Sequence, residues 1–68
     1  MERVQAWVDG SANGTFDFCY KRGRDRVETT YRVRTGDEEA FLHNAMATKS
    51  YVLLTLARGK VMAVGPIP

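Results

Sequence analysis

The sequence predicts an α+β chain: a three-stranded antiparallel sheet (β-β-β) followed by one helix packed on it, with a C-terminal strand or β-hairpin. Three observations carry this expectation. Apolar residues recur at every second position in three successive segments, separated by glycine-bearing turns. A threonine followed three residues later by glutamate then opens a segment whose apolar residues have helical spacing. Beyond it, Tyr51 to Leu56 is rich in strand formers, and Gly59 supplies a turn or a cap.

Val4, Ala6 and Val8 alternate with Gln5, Trp7 and Asp9, so Arg3 to Asp9 reads as a first strand closed by Gly10-Ser11-Ala12-Asn13-Gly14. A second strand follows from Thr15, where Phe16, Phe18 and Tyr20 alternate with Asp17, Cys19 and Lys21. A third runs from about Arg26, with Val27, Thr29, Tyr31 and Val33 opposite Glu28, Thr30, Arg32 and Arg34. Each strand therefore has one largely apolar face and one polar or charged face, and the apolar side of this meander needs a cover.

Thr35 and Glu38 have the spacing of a capping box, and Asp37, Glu38 and Glu39 suit the positive end of a helix dipole. Phe41, Leu42, Ala45 and Met46 then form the stripe that would lie on the sheet. Two courses are open for Tyr51 to Val64. Val52, Leu53 and Leu56 continue the helical stripe to a cap at Gly59, while the same residues, read with Val61 to Val64, make a second hairpin. Gly65-Pro66-Ile67-Pro68 ends regular structure, because proline has no amide donor.

Sixty-eight residues are expected to form a single domain, residues 1–68, with a thin core to which every element must contribute. The one cysteine, Cys19, has no partner for an internal disulfide, which suits a reducing compartment and makes cytoplasm the expected location. No apolar run approaches the roughly 20 residues of a membrane-spanning helix, and neither a targeting segment nor a membrane partner is expected. His43, the only histidine, has no cysteine or second histidine at ligand spacing, and Cys19 has no base positioned to activate it. No metal, cofactor or catalytic residue is therefore expected.

The clearest functional signal lies between Lys21 and Thr35, where six basic residues face two acidic ones, a formal +4 in a chain of +2. Basic side chains on an antiparallel sheet face contact phosphates, and a two-stranded ribbon fits a DNA major groove. Lys21, Arg22, Arg24, Arg26, Arg32 and Arg34 are the candidate binding residues. Trp7 joins them, since alternation places it opposite Val4, Ala6 and Val8, where an aromatic ring could stack on a base or anchor a protein interface.

Trp7-Val8-Asp9-Gly10-Ser11 resembles the opening of the ribonuclease H family, in which a first strand ends in an aspartate followed by glycine and a small residue. The resemblance implies that Asp9 is the first metal-binding carboxylate. The second carboxylate has only Glu38 or Glu39 as off-register candidates, and the third would fall near Gly65-Pro66, where there is none. A two-metal phosphodiester mechanism needs several carboxylates to hold ions about 3.5–4 Å apart, so no nuclease activity is expected.

Phe16 to Met46 is similar to the arm-type DNA-binding domains of phage integrases, in which a three-stranded sheet precedes a helix that opens with threonine, polar residues, Glu-Ala and an aromatic. Thr35-Gly36-Asp37-Glu38-Glu39-Ala40-Phe41-Leu42 matches that opening, and Tyr20-Lys21-Arg22-Gly23-Arg24 matches the basic hairpin. The resemblance implies that Lys21, Arg32 and Arg34 face DNA. The expected function is thus a small non-catalytic module that binds nucleic acid through a basic sheet face. The alternative is a small inhibitor or adaptor, of the kind mobile genetic elements encode against host defences, acting on an acidic or nucleic-acid-binding protein. A truncated ribonuclease H-like domain is a further alternative.

Overall fold

The computed structural model describes residues Met1–Pro68 and contains six elements: β1 (Glu2–Ala12), β2 (Thr15–Arg22), β3 (Asp25–Arg32), α1 (Gly36–Thr48), β4 (Tyr51–Ala57) and β5 (Lys60–Gly65). All five strands belong to one antiparallel sheet of order β3-β2-β1-β4-β5, curled into a half-barrel, and 59% of the chain is strand. This corrects the expected three-stranded sheet. The C-terminal segment is the hairpin of the two courses left open, and it extends the meander's own sheet.

The reason lies in β1. In a three-stranded meander β1 would be an edge, with a row of backbone donors and acceptors unpaired. Here β4 pairs along it from Glu2↔Leu56 to Trp7↔Tyr51, while β2 pairs on its other side from Trp7↔Cys19 to Ala12↔Thr15. One long strand thus joins the two halves of the sheet. The register with β2 slips between Val8 and Gly10, so Asp9 is the extra residue of a bulge, a feature that bends a strand and increases its twist. β1 therefore continues past Asp9, its expected end, and turns only at Asn13-Gly14. Both turn residues have positive φ, 52° and 80°, the conformation a two-residue hairpin favours and Asn-Gly supplies at low cost.

Alternation assigns the faces. Ala6, Phe16, Phe18, Tyr20, Tyr31, Val52, Leu54, Leu56 and Val61 point inward and meet Leu42 and Ala45 of α1 in one core. Phe16 and Phe18 are fully buried at its centre. The helix begins where its capping box indicates, with the Glu38 N–H donating to Thr35 Oγ1 at 3.1 Å. It stops at Thr48 because Lys49 takes left-handed angles (φ 55°, ψ 41°), and the Lys49 and Ser50 N–H groups turn back to the carbonyls of Met46 and Ala45. No helix is long and apolar enough to cross a membrane.

Candidate nucleic-acid interface

The polar positions of the alternation make up the outer face of the sheet, and its middle row runs Tyr51, Trp7, Cys19, Glu28 across four strands. Trp7 and Tyr51 meet edge to face, ring centroids 6.2 Å apart and planes at 80°. Tyr51 is 58% exposed, a large ring left open to solvent. Beside the pair lie two adjoining hollows, of about 650 and 440 Å³, which share Trp7, Lys21 and Tyr51. The larger reaches the end of α1 at Met46 and Lys49, and the smaller includes Gln5. No carboxylate lines either one.

The next strands over are different in kind. The Arg26 guanidinium lies 3.1 Å from Cys19 Sγ, 3.7 Å from Asp9 Oδ2 and 4.0 Å from Glu28 Oε1, with its carbon 5.7 Å from the centre of the Trp7 ring. The hydrogen bond to Cys19, then the nearby Asp9 and Glu28, raise the Arg26 pKa above its ordinary value. The ligand atoms of Asp9, Cys19 and Glu28 lie within 4.8 Å of one another, a grouping able to hold a metal ion, but Arg26 already supplies the cation there. The cluster fixes Arg26 in place and covers Cys19, which is buried on an otherwise open face.

The six basic candidates accordingly separate. Arg22 is tied to Glu2 at 2.7 Å and lies over the Tyr20 ring, at the rim of the sheet. Arg26 is held by its acidic neighbours. Arg24 occupies the exposed β2–β3 turn. Lys21 lines the aromatic groove with Trp7, whereas Arg32 and Arg34 line a cleft between β3 and β5, together with Lys60. The single basic face read from Lys21 to Thr35 is in fact five separate places, because the β2–β3 register sets Lys21 beside Arg26 and Arg32 beside Thr15, at opposite ends of the hairpin. Asp17 and Glu28 further dilute the charge between them.

Two members of the groove, Tyr51 and Lys49, were not among the sequence candidates. Tyr51 reads as one more strand former, and Lys49 lies outside the basic run. Alternation was the signal that could have found the tyrosine: Val52, Leu54 and Leu56 point inward, so Tyr51 must point out, beside whatever β4 pairs with. Of the carboxylates offered by the ribonuclease H resemblance, Asp9 pairs with Arg26, and Glu38 accepts from the Tyr31 hydroxyl and the Arg34 N–H at the start of α1. Comparison with family models, curated proteins and solved structures gives no match for this chain.

Proposed function

We propose that the chain is a non-catalytic binding module that takes single-stranded nucleic acid in the groove running from the outer face of β1, β2 and β4 to the C-terminal end of α1. Tyr51 and Trp7 act as the base-stacking surface, with Lys21 and Lys49 on phosphates. The observation that carries this reading is the exposed Tyr51 ring set edge to face against the half-buried Trp7, in a groove with two lysines and no carboxylate. Proteins that bind single strands without strong sequence preference combine such rings with a positive track. A five-stranded, partly open antiparallel barrel is also the plan of OB folds, which take oligonucleotides on their sheet face. A shared plan does not fix a ligand, so the argument rests on the groove.

The test is fluorescence anisotropy with a labelled oligothymidine. A stacked base contributes about 1–3 kcal/mol, so Tyr51→Ala is expected to weaken binding by roughly 5- to 150-fold. Lys21→Gln should weaken it and make the log–log salt slope shallower by about 0.7 for each phosphate the side chain neutralises. Wild-type affinity in both variants overturns the reading.

A second reading, the protein-binding inhibitor or adaptor, is favoured by a different observation. The outer side of β4 and β5 presents Tyr51, Leu53, Thr55, Met62 and Ala63, with Lys60 beside Ala57 at one end as its charged residue, and Met62 is 44% exposed. Such a surface suits a protein interface, whose binding would survive salt that abolishes phosphate contacts.

A further inference from the structure

We infer that the cleft between β3 and β5 is a second binding site, for the di- or triphosphate group of a small molecule. β3 and β5 are the two edges of the sheet, and the curl brings them together without backbone pairing. The cleft left between them, about 410 Å³, is lined by Thr29, Thr30, Arg32 and Arg34 on one side and by Gly59 and Lys60 on the other. Three cations therefore surround one cleft, and no carboxylate lines it. None of the three takes part in an ion pair, although Arg22 and Arg26 elsewhere on the sheet are both paired.

Arg34 lies within reach of the Glu38 charge, but Arg32 and Lys60 have no acidic partner, and like charges gathered in one cleft repel one another, so an anion entering it relieves that repulsion. The guanidinium groups of Arg32 and Arg34 are suited to two-pronged contact with phosphoryl oxygens, Lys60 adds a point charge, and the threonine hydroxyls add donors. The unpaired strand edges contribute N–H groups of their own. A nucleic-acid backbone spreads its charge along the strand, one per phosphate. A di- or triphosphate concentrates several charges in a short chain, the better match for three cations around one cleft. The site is distinct from the Trp7–Tyr51 groove, which shares none of its lining residues.

The probe is inorganic triphosphate, titrated into the full chain by calorimetry at low salt, with circular dichroism to confirm that each variant is folded. Arg32→Gln with Arg34→Gln is expected to weaken triphosphate binding at least tenfold. Lys60→Gln, on the opposite wall, should weaken it several-fold. Oligothymidine binding should be unchanged in both. Arg3→Gln with Arg24→Gln removes the same net charge elsewhere and should leave triphosphate binding within twofold of wild type. Equal loss in that charge-matched variant would reduce the effect to net charge and overturn the proposal. So would wild-type triphosphate affinity in the Arg32 and Arg34 double variant. Loss of oligothymidine binding with triphosphate binding intact would show that the cleft holds backbone phosphates, and would overturn it as well. Because the groove is tested by Tyr51→Ala with the other probe, failure at either site is read separately.

Discussion

The Tyr31 hydroxyl hydrogen-bonds to both carboxylate oxygens of Glu38, at 3.0 and 2.9 Å, and so ties the end of β3 to the first turn of α1. The same carboxylate accepts from the Arg34 N–H at 2.7 Å. In a standard capping box the glutamate would reach the N-cap N–H, but Glu38 reaches one residue further back and takes a core tyrosine with it.

These bonds set a pH dependence. The Arg34 N–H bond, helped by the Tyr31 hydroxyl and opposed by partial burial, lowers the Glu38 pKa. A carboxylate with a lowered folded pKa contributes stability that is complete above its unfolded value, about 4.3, and is lost as pH falls through the folded one. Glu38→Gln is therefore expected to destabilise by about 1 kcal/mol at pH 7, or roughly 4–8 °C in a domain of this size. The gap to wild type should narrow below about pH 4. Thermal melts across pH 3 to 7 check this, and a gap independent of pH would remove Glu38 as the titrating group.

Thr35→Ala removes the acceptor for the Glu38 N–H. Loss of an N-cap costs about 0.5–2 kcal/mol, and urea denaturation should show a lower midpoint with an unchanged slope. An unchanged midpoint would mean that water replaces the hydroxyl at no cost.

Lys49→Gly should act in opposite directions on stability and binding. Glycine meets the left-handed angles of Lys49 without strain, so the variant is expected to be more stable by about 0.5–1 kcal/mol. Its affinity for oligothymidine should fall, because the groove loses one of its two cations. Denaturation and anisotropy on one preparation check both halves, and a rise in both quantities would show that Lys49 makes no phosphate contact.

Phe18→Ala should leave the chain largely unfolded. The ring is fully buried between strands and helix, its removal costs about 3–5 kcal/mol, and a core of this size supplies little more than that in total. One-dimensional proton NMR would show collapsed amide dispersion, and a well-dispersed spectrum would indicate a larger reserve of stability.

What depends on neighbouring residues alone was legible in the chain. Period-two alternation marked Phe16, Phe18, Tyr20 and Tyr31 as core positions and put Trp7 on the opposite face, and Thr35 with Glu38 located the start of α1. The end of α1 was not legible, because Lys49 takes a conformation usually left to glycine or asparagine. Nor were the partners of β1. Two stretches with matching alternation carry no mark of their pairing, and β4 finds β1 across some 50 residues because β1 has a free edge with a continuous inner face. That one pairing makes the sheet five-stranded and sets Tyr51 against Trp7. The β2–β3 register, with Lys21 beside Arg26 and Arg32 beside Thr15, separates Lys21 from Arg32 and Arg34, which the linear run of charge had placed together. Charge and periodicity are local properties of a chain, whereas the distance between two side chains on different strands is fixed only when the strands pair in register.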